Sequence, residues 1–424
     1  MIITFHLLEL LRKIRQYYGL IKLLKNVCKI PLYIIYCLSF AFPRNKKIWI
    51  FGSWRGKRFG DNSKYFFLYV NQYHKNKIKT IWISKKKKII KELNNHGYKA
   101  YTVYSIKGIY YMVRGKIWIF DVNINDITYW LSGNTMKINL GHGLPFKKRG
   151  WDIQLKNNIY YELLQSKGIK GLIIKILLPW AFQKPNYVLA TSKSNAKIFS
   201  SAFRIPKDNI LIAGYPRNDI LLKEIKNFDI NFDTNYYNRI KNLRNIGTKI
   251  ISYVPTFRES GEDILNENFD FIKLNEILKL HKAHLLIKLH PASKKNTILK
   301  NIPDHISIMD SNVDIYPIIK KTDILITDYS SIFFDYLIMN RPIIFFPYDL
   351  HNYSKKIRGI YFNYDEFTPG PKAQNFEELI YWLEYFLQNK DAFGEKRKHI
   401  RELIYDYKDE KSSERLFQLI LRLL

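Results

Sequence analysis

The sequence predicts an α/β fold of two domains with parallel sheets, and three observations support this prediction. Short apolar runs alternate with amphipathic helical stretches along most of the chain, which is typical of repeated βα units with helices on both faces of a sheet. The 424 residues exceed what one hydrophobic core usually supports, so two domains are expected. A break containing glycine and proline at 214–219 opens a polar stretch that ends near residue 247, and we expect the hinge there.

The first half of the alternation begins after residue 45. Its strands are expected at 48–51, 80–83, 100–103, 117–120, 137–140, 187–191 and 210–213. Its helices are expected near 62–70, 88–93, 109–113, 160–180 and 194–203. Each predicted strand is a short apolar run rich in β-branched and aromatic residues, which a pleated strand accommodates well.

The second half repeats this pattern beyond the hinge. Strands are expected at 249–254, 284–289, 324–327 and 341–346, and helices at 271–281, 376–387 and from 412 onward. We therefore expect four parts in the chain, namely a helical segment at 1–45, a first domain at 46–220, a hinge at 221–248 and a second domain with terminal helices at 249–424.

The first 45 residues mix apolar and basic side chains. The most apolar run, 30–42, is shorter than the ~20 residues that a helix needs to cross a bilayer. No small-residue cleavage site follows it, so a secretory signal is not expected. A basic, amphipathic helical segment suits the interface of an anionic cytoplasmic leaflet, and helices that simply pack on the domain are the alternative.

The charge of the chain is strongly positive. Lysine and arginine total 69 against 37 acidic residues, a formal net charge of +32, which favours a polyanionic partner such as a nucleic acid, an anionic membrane or a phosphate-rich substrate. The aromatic residues lie in periodic core strands and no nucleic-acid motif occurs, so no nucleic-acid partner is expected. The two cysteines, Cys28 and Cys37, have neither zinc-site nor disulfide-framework spacing.

A candidate phosphate site lies in the stretch from Asp323 to Asp335. A buried strand runs here directly into the start of a helix, the junction at which α/β proteins hold phosphates. Ser330 or Ser331 can cap that helix by accepting bonds from its free backbone N–H groups, which can also receive an anion. The alternative is that Asp328 and the serines only end a strand and begin a helix.

A candidate catalytic histidine follows the strand at 137–140. His142 stands between two glycines, Gly141 and Gly143, at the carboxyl end of a predicted parallel strand, where open α/β sheets keep their chemistry. The glycines allow close approach of a ligand. Three basic residues follow that can meet an anionic chain, namely Lys147, Lys148 and Arg149.

Further candidates stand at other strand ends. A Pro-Thr turn at Thr256 delivers Arg258 to the top of the second sheet. Lys288 and His290, at the end of the strand that begins at residue 284, share one face, because side chains alternate along a strand. Arg217 could touch a ligand across the cleft, and a salt-bridged hinge arginine is the alternative.

Six motifs in this order resemble one family, the CDP-glycerol:poly(glycerophosphate) glycerophosphotransferases. They are His142-Gly-Leu-Pro, Gly214-Tyr-Pro-Arg-Asn-Asp, Pro255-Thr-Phe-Arg258, Lys288-Leu-His290-Pro, Thr327-Asp-Tyr-Ser-Ser and Arg358-Gly with Pro369-Gly-Pro. The Asp-Asn pair at Asp61 is similar to the family's early Asp-Asn element. The chain departs from the family pattern at Leu144, Phe146 and Phe257, which puts the identity of the acceptor or the alditol in doubt.

The resemblance implies a GT-B-type architecture, in which two Rossmann-like domains face each other across a cleft. The second domain would hold the donor nucleotide, the acceptor would approach from the first, and the protein would attach peripherally to the cytoplasmic face of a bacterial membrane. By motif match, His142 resembles the family's catalytic base and His290 its second essential histidine. The expected donor-binding residues are Arg258, Lys288, Asp328, Ser330, Ser331, Thr256 and Arg217, and the expected acceptor-binding residues are Gly143, Lys147, Lys148 and Arg149.

The expected reaction transfers glycerol phosphate from CDP-glycerol to a hydroxyl at the end of a membrane-linked polyol-phosphate or glycan acceptor, with release of CMP. The cationic residues can neutralise the diphosphate without a metal, although a weakly bound Mg²⁺ stays open. Three alternatives also stay open, namely a CDP-ribitol phosphotransferase, a GT-B glycosyltransferase that uses a sugar nucleotide, and a non-enzymatic protein that binds polyanions or membranes.

Overall fold

Two parallel sheets organise the chain in the computed structural model, which describes residues 31–154, 159–177, 182–256, 265, 269–289, 302–350 and 359–424. The first sheet has seven strands, which are β1 (Asn45–Phe51), β2 (Lys79–Ser84), β3 (Ala100–Thr102), β4 (Gly115–Phe120), β5 (Met136–Asn139), β6 (Tyr187–Ala190) and β7 (Ile210–Ile212). The second has five, which are β8 (Lys249–Tyr253), β9 (Ala283–Ile287), β10 (Ile306–Ile308), β11 (Ile324–Thr327) and β12 (Ile343–Phe345).

Helices connect these strands. In the first half they are α1 (Pro31–Leu38), α2 (Asp61–His74), α3 (Lys87–Asn95), α4 (Ile106–Arg114), α5 (Ile159–Gln165), α6 (Gly168–Leu177), α7 (Lys193–Phe203), α8 (Asp219–Leu222) and α9 (Thr234–Asn245). In the second half they are α10 (Phe271–Leu280), α11 (Tyr316–Ile319), α12 (Ile332–Tyr336), α13 (Tyr364–Phe367), α14 (Phe376–Leu387), α15 (Gly394–Ile404) and α16 (Ser412–Arg422).

The strands are apolar on both faces, as expected of sheets that helices cover on both sides. Along β1, Trp49 and Phe51 belong to one cluster of buried side chains, whereas Ile48 and Ile50 belong to another. This division follows from the alternation of side chains along a strand. A continuous apolar run therefore forms a central strand here.

The order of the strands positions the functional site. The first sheet runs β3-β2-β1-β4-β5-β6-β7, and the second runs β10-β9-β8-β11-β12. In the first sheet β1 pairs with β4, and in the second β8 pairs with β11. The chain connections on the two sides of each such pair run in opposite directions, which opens a crevice at the carboxyl ends of the strands. The loops that follow β1 and β11 therefore lie at these crevices.

The start of the described chain is anchored to the first sheet. The guanidinium group of Arg44 donates to the backbone carbonyls of Ser39, Met112 and Leu131. Several apolar side chains of α1 are exposed, among them Tyr33 and Ile34. Of the predicted segment at 1–45, residues 1–30 lie outside the described residues. Among the described helices, none is long and apolar enough to cross a membrane.

The carboxyl-terminal helices return to the first half. The ring of Phe417 on α16 stacks on His74 with ring centroids 3.7 Å apart and also contacts Trp49 of β1. The carboxylate of Asp219 accepts hydrogen bonds from the backbone N–H groups of Ser412 and Ser413. The end of the chain thus ties the two halves together.

The prediction of an α/β fold with parallel sheets is confirmed. The sheets occupy 45–212 and 249–345, and the polar stretch predicted as a hinge contains α9 (Thr234–Asn245). The domain boundaries at 46–220, 221–248 and 249–424 stay a proposal.

Candidate active site

A cavity of about 260 Å³ lies where the carboxyl ends of the two sheets meet. Trp54 and His142, which follow β1 and β5, line it from the first half. Lys288, Ser330 and Ser331, which follow β9 and β11, line it from the second. The cavity thus occupies the crevices that the strand order creates, the usual ligand position in open α/β sheets.

His142 contributes an imidazole with unused hydrogen-bonding capacity. Its Nδ1 atom is buried and has no hydrogen-bond partner among the described residues. The ring packs edge-on against Trp54, with centroids 5.8 Å apart. Burial, followed by the charge of Arg149, lowers the pKa of His142 from 6.5 to about 4. The imidazole is therefore neutral near pH 7 and able to accept a proton.

Asn62 holds the turn that presents His142. Its side-chain amide donates to the backbone carbonyls of Leu140 and Gly141 at 3.1 and 2.9 Å. Gly141 has a φ of +69°, a conformation that glycine adopts at little cost. The turn after β5 is thus fixed from α2.

Two buried carboxylates hold the loop that carries Trp54. Trp54 and Arg55 have left-handed φ values of +47° and +57°. The carboxylate of Asp126 accepts from the backbone N–H of Arg55 at 2.6 Å, and that of Asp121 accepts from Ser53 Oγ at 2.6 Å. Left-handed conformations of residues other than glycine persist only where surrounding contacts enforce them, and such sites concentrate near function.

Arg217 bridges the two halves in a buried ion-pair triad. Its terminal nitrogens pair with Asp61 Oδ1 at 2.5 Å and with Asp335 Oδ2 at 2.6 Å, and all three side chains are nearly inaccessible. Burial alone would lower the pKa of Arg217, but Asp335 and then Tyr316 and Asp61 raise it above its ordinary value. Both terminal nitrogens are therefore occupied, as the salt-bridged alternative expects. Arg217 is also among the residues that line the cavity, and its donor-binding role stays a prediction.

The triad extends to the cavity wall. Asp61 also accepts from the indole N–H of Trp54 at 3.1 Å, and Asp335 also accepts from the hydroxyl of Tyr316 at 2.7 Å. A continuous hydrogen-bonded chain therefore links the ring beside His142 to α11 and α12 of the second half.

Ser330 and Ser331 line the cavity, but they do not cap the following helix as expected. Ser331 occupies the N-cap position without a side-chain cap hydrogen bond, and α12 is only five residues long. The backbone of Ser331 is already in the right-handed helical region, whereas a capping side chain usually needs an extended residue. The two serines therefore share the cavity wall with His142, but they do not cap the helix.

Asp328 is enclosed in the protein and clamps two loops. Its carboxylate accepts from the backbone N–H of Thr256 at 2.9 and 3.0 Å and from that of Tyr329 at 2.5 Å. Asp328 is 0% exposed. This carboxylate therefore joins the loops after β8 and β11. The predicted donor contacts of Asp328 and Thr256 stay a prediction.

The basic residues after His142 lie in a contact between the halves. Lys147 forms an antiparallel bridge with Ile360, and the backbone N–H of Lys148 donates to the carbonyl of Gly359 at 2.8 Å. The guanidinium of Arg149 lies over the rings of Phe199 and Phe203 on α7. These three residues thus stand outside the cavity lining, and their predicted contact with the acceptor stays a prediction.

Lys288 lies deep in the cavity wall. It is 8% exposed and donates to the backbone carbonyl of Ser311 at 2.9 Å. Burial, followed by the charge of Arg58, lowers the pKa of Lys288 from 10.5 to about 8. Lys288 therefore keeps its positive charge at neutral pH. The other predicted cationic residues of the second half, Arg258 and His290, lie outside the described residues.

Sequence reasoning missed several residues of the cavity, namely Trp54, Arg58, Asp314 and Asp335. Trp54 and Arg58 follow the first strand of the first sheet, so the expected strand order could have drawn attention to that loop. Among the described residues, no group of three or more metal-ligating side chains is arranged to hold a metal ion.

Gly143 brings the His142 turn against the second half. An added Cβ would lie 2.5 Å from Ser331 Oγ, and the φ of Gly143 is +154°. We expect Gly143→Ala to lower turnover by about 10- to 100-fold, because a misplacement of the catalytic group of ~1 Å costs up to 10²-fold. Steady-state kinetics would measure this change. Adding Ser331→Gly should restore part of the rate, and a double variant no faster than Gly143→Ala would contradict the assigned contact.

The sequence matches the family model described as CDP-Glycerol:Poly(glycerophosphate) glycerophosphotransferase over residues 34–422. It is 30% identical over 411 residues to a teichoic acid glycerol-phosphate transferase of Staphylococcus aureus, which covers 94% of this chain and 99% of that protein. It is 29% identical over 359 residues to a teichoic acid poly(glycerol phosphate) polymerase of Bacillus spizizenii, which covers 82% of this chain and 85% of that protein. The solved wall teichoic acid polymerase TagF, as a variant soaked with CDPG, has a TM-score of 0.72 at 24% identity and covers 96% of this chain and 98% of that chain. These matches confirm the resemblance seen in the motifs.

Proposed function

Because this chain belongs to the CDP-glycerol:poly(glycerophosphate) glycerophosphotransferase family, it is a glycerophosphotransferase, and we propose that it acts on CDP-glycerol in teichoic-acid synthesis. It transfers glycerol phosphate to the terminal hydroxyl of a membrane-linked polyol-phosphate or glycan acceptor and releases CMP. One observation carries this proposal for the site. A neutral histidine with unused hydrogen-bonding capacity and a charged, buried lysine line one cavity between the two sheets.

In the proposed step, the oxygen of the acceptor hydroxyl attacks the phosphorus atom of CDP-glycerol that carries the glycerol. A new phosphorus–oxygen bond forms there, and the bond from that phosphorus to the oxygen bridging it to CMP breaks. The hydroxyl proton passes to the imidazole of His142, and CMP leaves with the electron pair of the broken bond. General base catalysis of this kind contributes ~10²–10⁴ to the rate.

The second half holds the donor in this proposal. Lys288 supplies positive charge to the diphosphate, and Ser330 and Ser331 bound the same side of the cavity. Charge that develops on a phosphoryl group in the transition state is stabilised most by cations already fixed in place. Arg258 and His290, which the motif match assigns to the donor site, complete the proposed set.

The acceptor approaches from the first half, beside His142 and Gly143. We divide the protein into a Rossmann-like acceptor domain at 46–220, a hinge at 221–248 and a Rossmann-like donor domain at 249–424, which together form a GT-B-type cleft. Peripheral attachment to the cytoplasmic face of the membrane would bring a lipid-linked acceptor to this cleft. The exposed apolar side chains of α1, such as Tyr33 and Ile34, support such attachment.

Purified protein incubated with CDP-glycerol and a membrane-extract acceptor should release CMP in proportion to the phosphate transferred. Chromatography of the released nucleotide would measure it. CDP-ribitol and a UDP-sugar, offered separately, serve as matched donors. Consumption of a UDP-sugar without release of CMP from CDP-glycerol would overturn the proposal, and faster turnover of CDP-ribitol would reassign the donor.

A further inference from the structure

Two cations in the cavity have no salt-bridge partner among the described residues. Arg58 follows β1 in the first half, and Lys288 follows β9 in the second. Neither forms an ion pair with a described carboxylate, and within the described part of the chain the ammonium group of Lys288 makes one hydrogen bond, to a carbonyl. An ammonium offers three donors and a guanidinium five, so the described residues leave most of this donor capacity to a ligand.

The carboxylates around the cavity are already committed. Asp61 and Asp335 pair with Arg217, as described above, and Asp314 pairs with the buried ammonium of Lys64 at 3.0 Å. Asp310 is exposed and accepts hydrogen bonds from the backbone and side chain of Asn312. The positive charge of Arg58 and Lys288 is therefore available to a ligand.

Two positive charges held close together in a partly buried site repel each other. The positive charge of Arg58 lowers the pKa of Lys288, whereas Asp314 and Asp310 act in the opposite direction. Such an arrangement costs folding free energy unless an anion joins it. An anion bound between the two groups would turn this repulsion into attraction.

The guanidinium of Arg58 is held in place rather than free to swing into solvent. It lies over the indole ring of Trp54, 4.7 Å from the ring centroid, and is half-buried. Trp54 is in turn fixed by its bond to Asp61 and by the strained loop described above. A cation positioned in advance in this way loses little conformational freedom when it binds a ligand.

We propose that Arg58 is a catalytic residue that binds the phosphate group being transferred. Arg58 from the first half and Lys288 from the second clamp the non-bridging oxygens of that phosphate from two walls of the cavity. This inference rests on the proposed function, which identifies the phosphate as the glycerol-bearing phosphate of the donor. A planar guanidinium can donate to two phosphate oxygens at once, which a lysine ammonium cannot reproduce.

The acceptor chain also carries phosphates, and the position of Arg58 favours the donor. Arg58 rests on the ring that contacts His142, and it lines the same cavity as Lys288 of the donor side. The phosphorus under attack must lie between the base and the donor-holding cation, within ~3–3.5 Å of the attacking oxygen. A phosphodiester further along the acceptor would lie on the far side of the attacking hydroxyl from Lys288.

The test compares Arg58→Ala, Arg58→Lys and Lys57→Ala in the full chain, with CDP-glycerol and a lipid-linked glycerol phosphate as substrates. Lys57 is the matched control, because it carries the same charge in the same loop and is exposed. Arg58→Ala should lower kcat by about 10²–10³, which is the usual effect of removing one preorganised donor, and leave the KM for the acceptor unchanged. Arg58→Lys should recover only part of the rate, and Lys57→Ala should stay within about twofold of the parent, as expected of a surface change.

Binding experiments identify which phosphate Arg58 contacts. Arg58→Ala should weaken CDP-glycerol binding while leaving CMP, which lacks the transferred phosphate, bound as in the parent protein. An unchanged kcat, a rise only in the KM for the acceptor, or equal weakening of CMP and CDP-glycerol would each overturn the assignment. Binding of inorganic pyrophosphate tests the role of Arg58 independently of the proposed function. If the parent protein transfers nothing from CDP-glycerol, the proposed function fails, whereas pyrophosphate binding that Arg58→Ala does not weaken means that Arg58 fails as a phosphate ligand.

Discussion

Replacing His142 with asparagine should lower kcat by about 10²–10⁴, the contribution of a general base, while leaving the affinity for CDP-glycerol within about twofold. CDP-glycerol should still bind because the imidazole lies in the first half, whereas Lys288 and the two serines line the donor side of the cavity. Asparagine keeps the polarity and approximate size of the side chain but cannot take up a proton at neutral pH. CMP release and isothermal titration calorimetry with CDP-glycerol would measure the two quantities.

The control for this variant is His96→Asn, because His96 is exposed at the end of α3 and does not line the cavity. This change should leave turnover unaltered. A normal rate in His142→Asn would remove His142 as the base. An equal loss of CDP-glycerol binding in His142→Asn would show instead that the histidine holds the donor.

The pH dependence of kcat/KM should reflect two groups of the free enzyme. His142 acts as a base only when it is neutral, so activity should fall as the pH drops through about 4, the lowered pKa of its buried imidazole. Lys288 stabilises phosphate only when it is protonated, so activity should fall again as the pH rises through about 8. In the Lys288→Arg variant the alkaline fall should move upward, because a guanidinium stays charged. An alkaline limb unaltered by Lys288→Arg would contradict the role of Lys288.

The second large effect concerns stability, and it follows from the triad of Arg217 with Asp61 and Asp335. Replacing Arg217 with alanine leaves two buried carboxylates without their cation, which should cost about 3–5 kcal/mol of the free energy of unfolding. Burial already raises the pKa of Asp335 even in the presence of Arg217, so an unpaired carboxylate there would be costly. Urea denaturation followed by tryptophan fluorescence would measure the loss.

Two companion variants sharpen this test. Arg244 forms an ion pair with Asp323 at 2.9 Å, but both side chains are about one-third exposed, so Arg244→Ala should cost only about 0–1 kcal/mol. Arg217→Met combined with Asp61→Asn and Asp335→Asn removes all three charges and should recover most of the loss. Equal destabilisation by Arg217→Ala and Arg244→Ala would contradict the importance of the buried triad.

The placement of His142 and Lys288 could be predicted because it depends on local pattern. Both residues directly follow apolar runs, and parallel strands bring their carboxyl ends to one edge of a sheet. The role of Asp328 could not be predicted in this way. A carboxylate at a strand end can bind a ligand or clamp a neighbouring loop, and only the distance to the backbone of Thr256 decides between these roles.

The same limit applies to Arg217. The motif around Arg217 is compatible with a ligand contact and with a salt bridge. The sequence does not decide between them, because the partners Asp61 and Asp335 lie 156 and 118 residues away along the chain. The missing cap at Ser331 has a related cause. The residue types favour an N-cap, but the backbone there is already helical where the chain turns into the cavity.

By itself, the sequence determined the α/β fold with parallel sheets, the family and the histidine at the end of β5, because periodicity and short motifs are local properties of the chain. Only the tertiary structure decided which charged side chains form ion pairs between the two halves and which can bind a ligand in the cavity. Arg217 pairs with Asp61 and Asp335, whereas Arg58 and Lys288 line one cavity without a salt-bridge partner among the described residues. The physical reason is that charge pairing depends on distances of a few ångströms between residues far apart in sequence, and packing alone sets those distances.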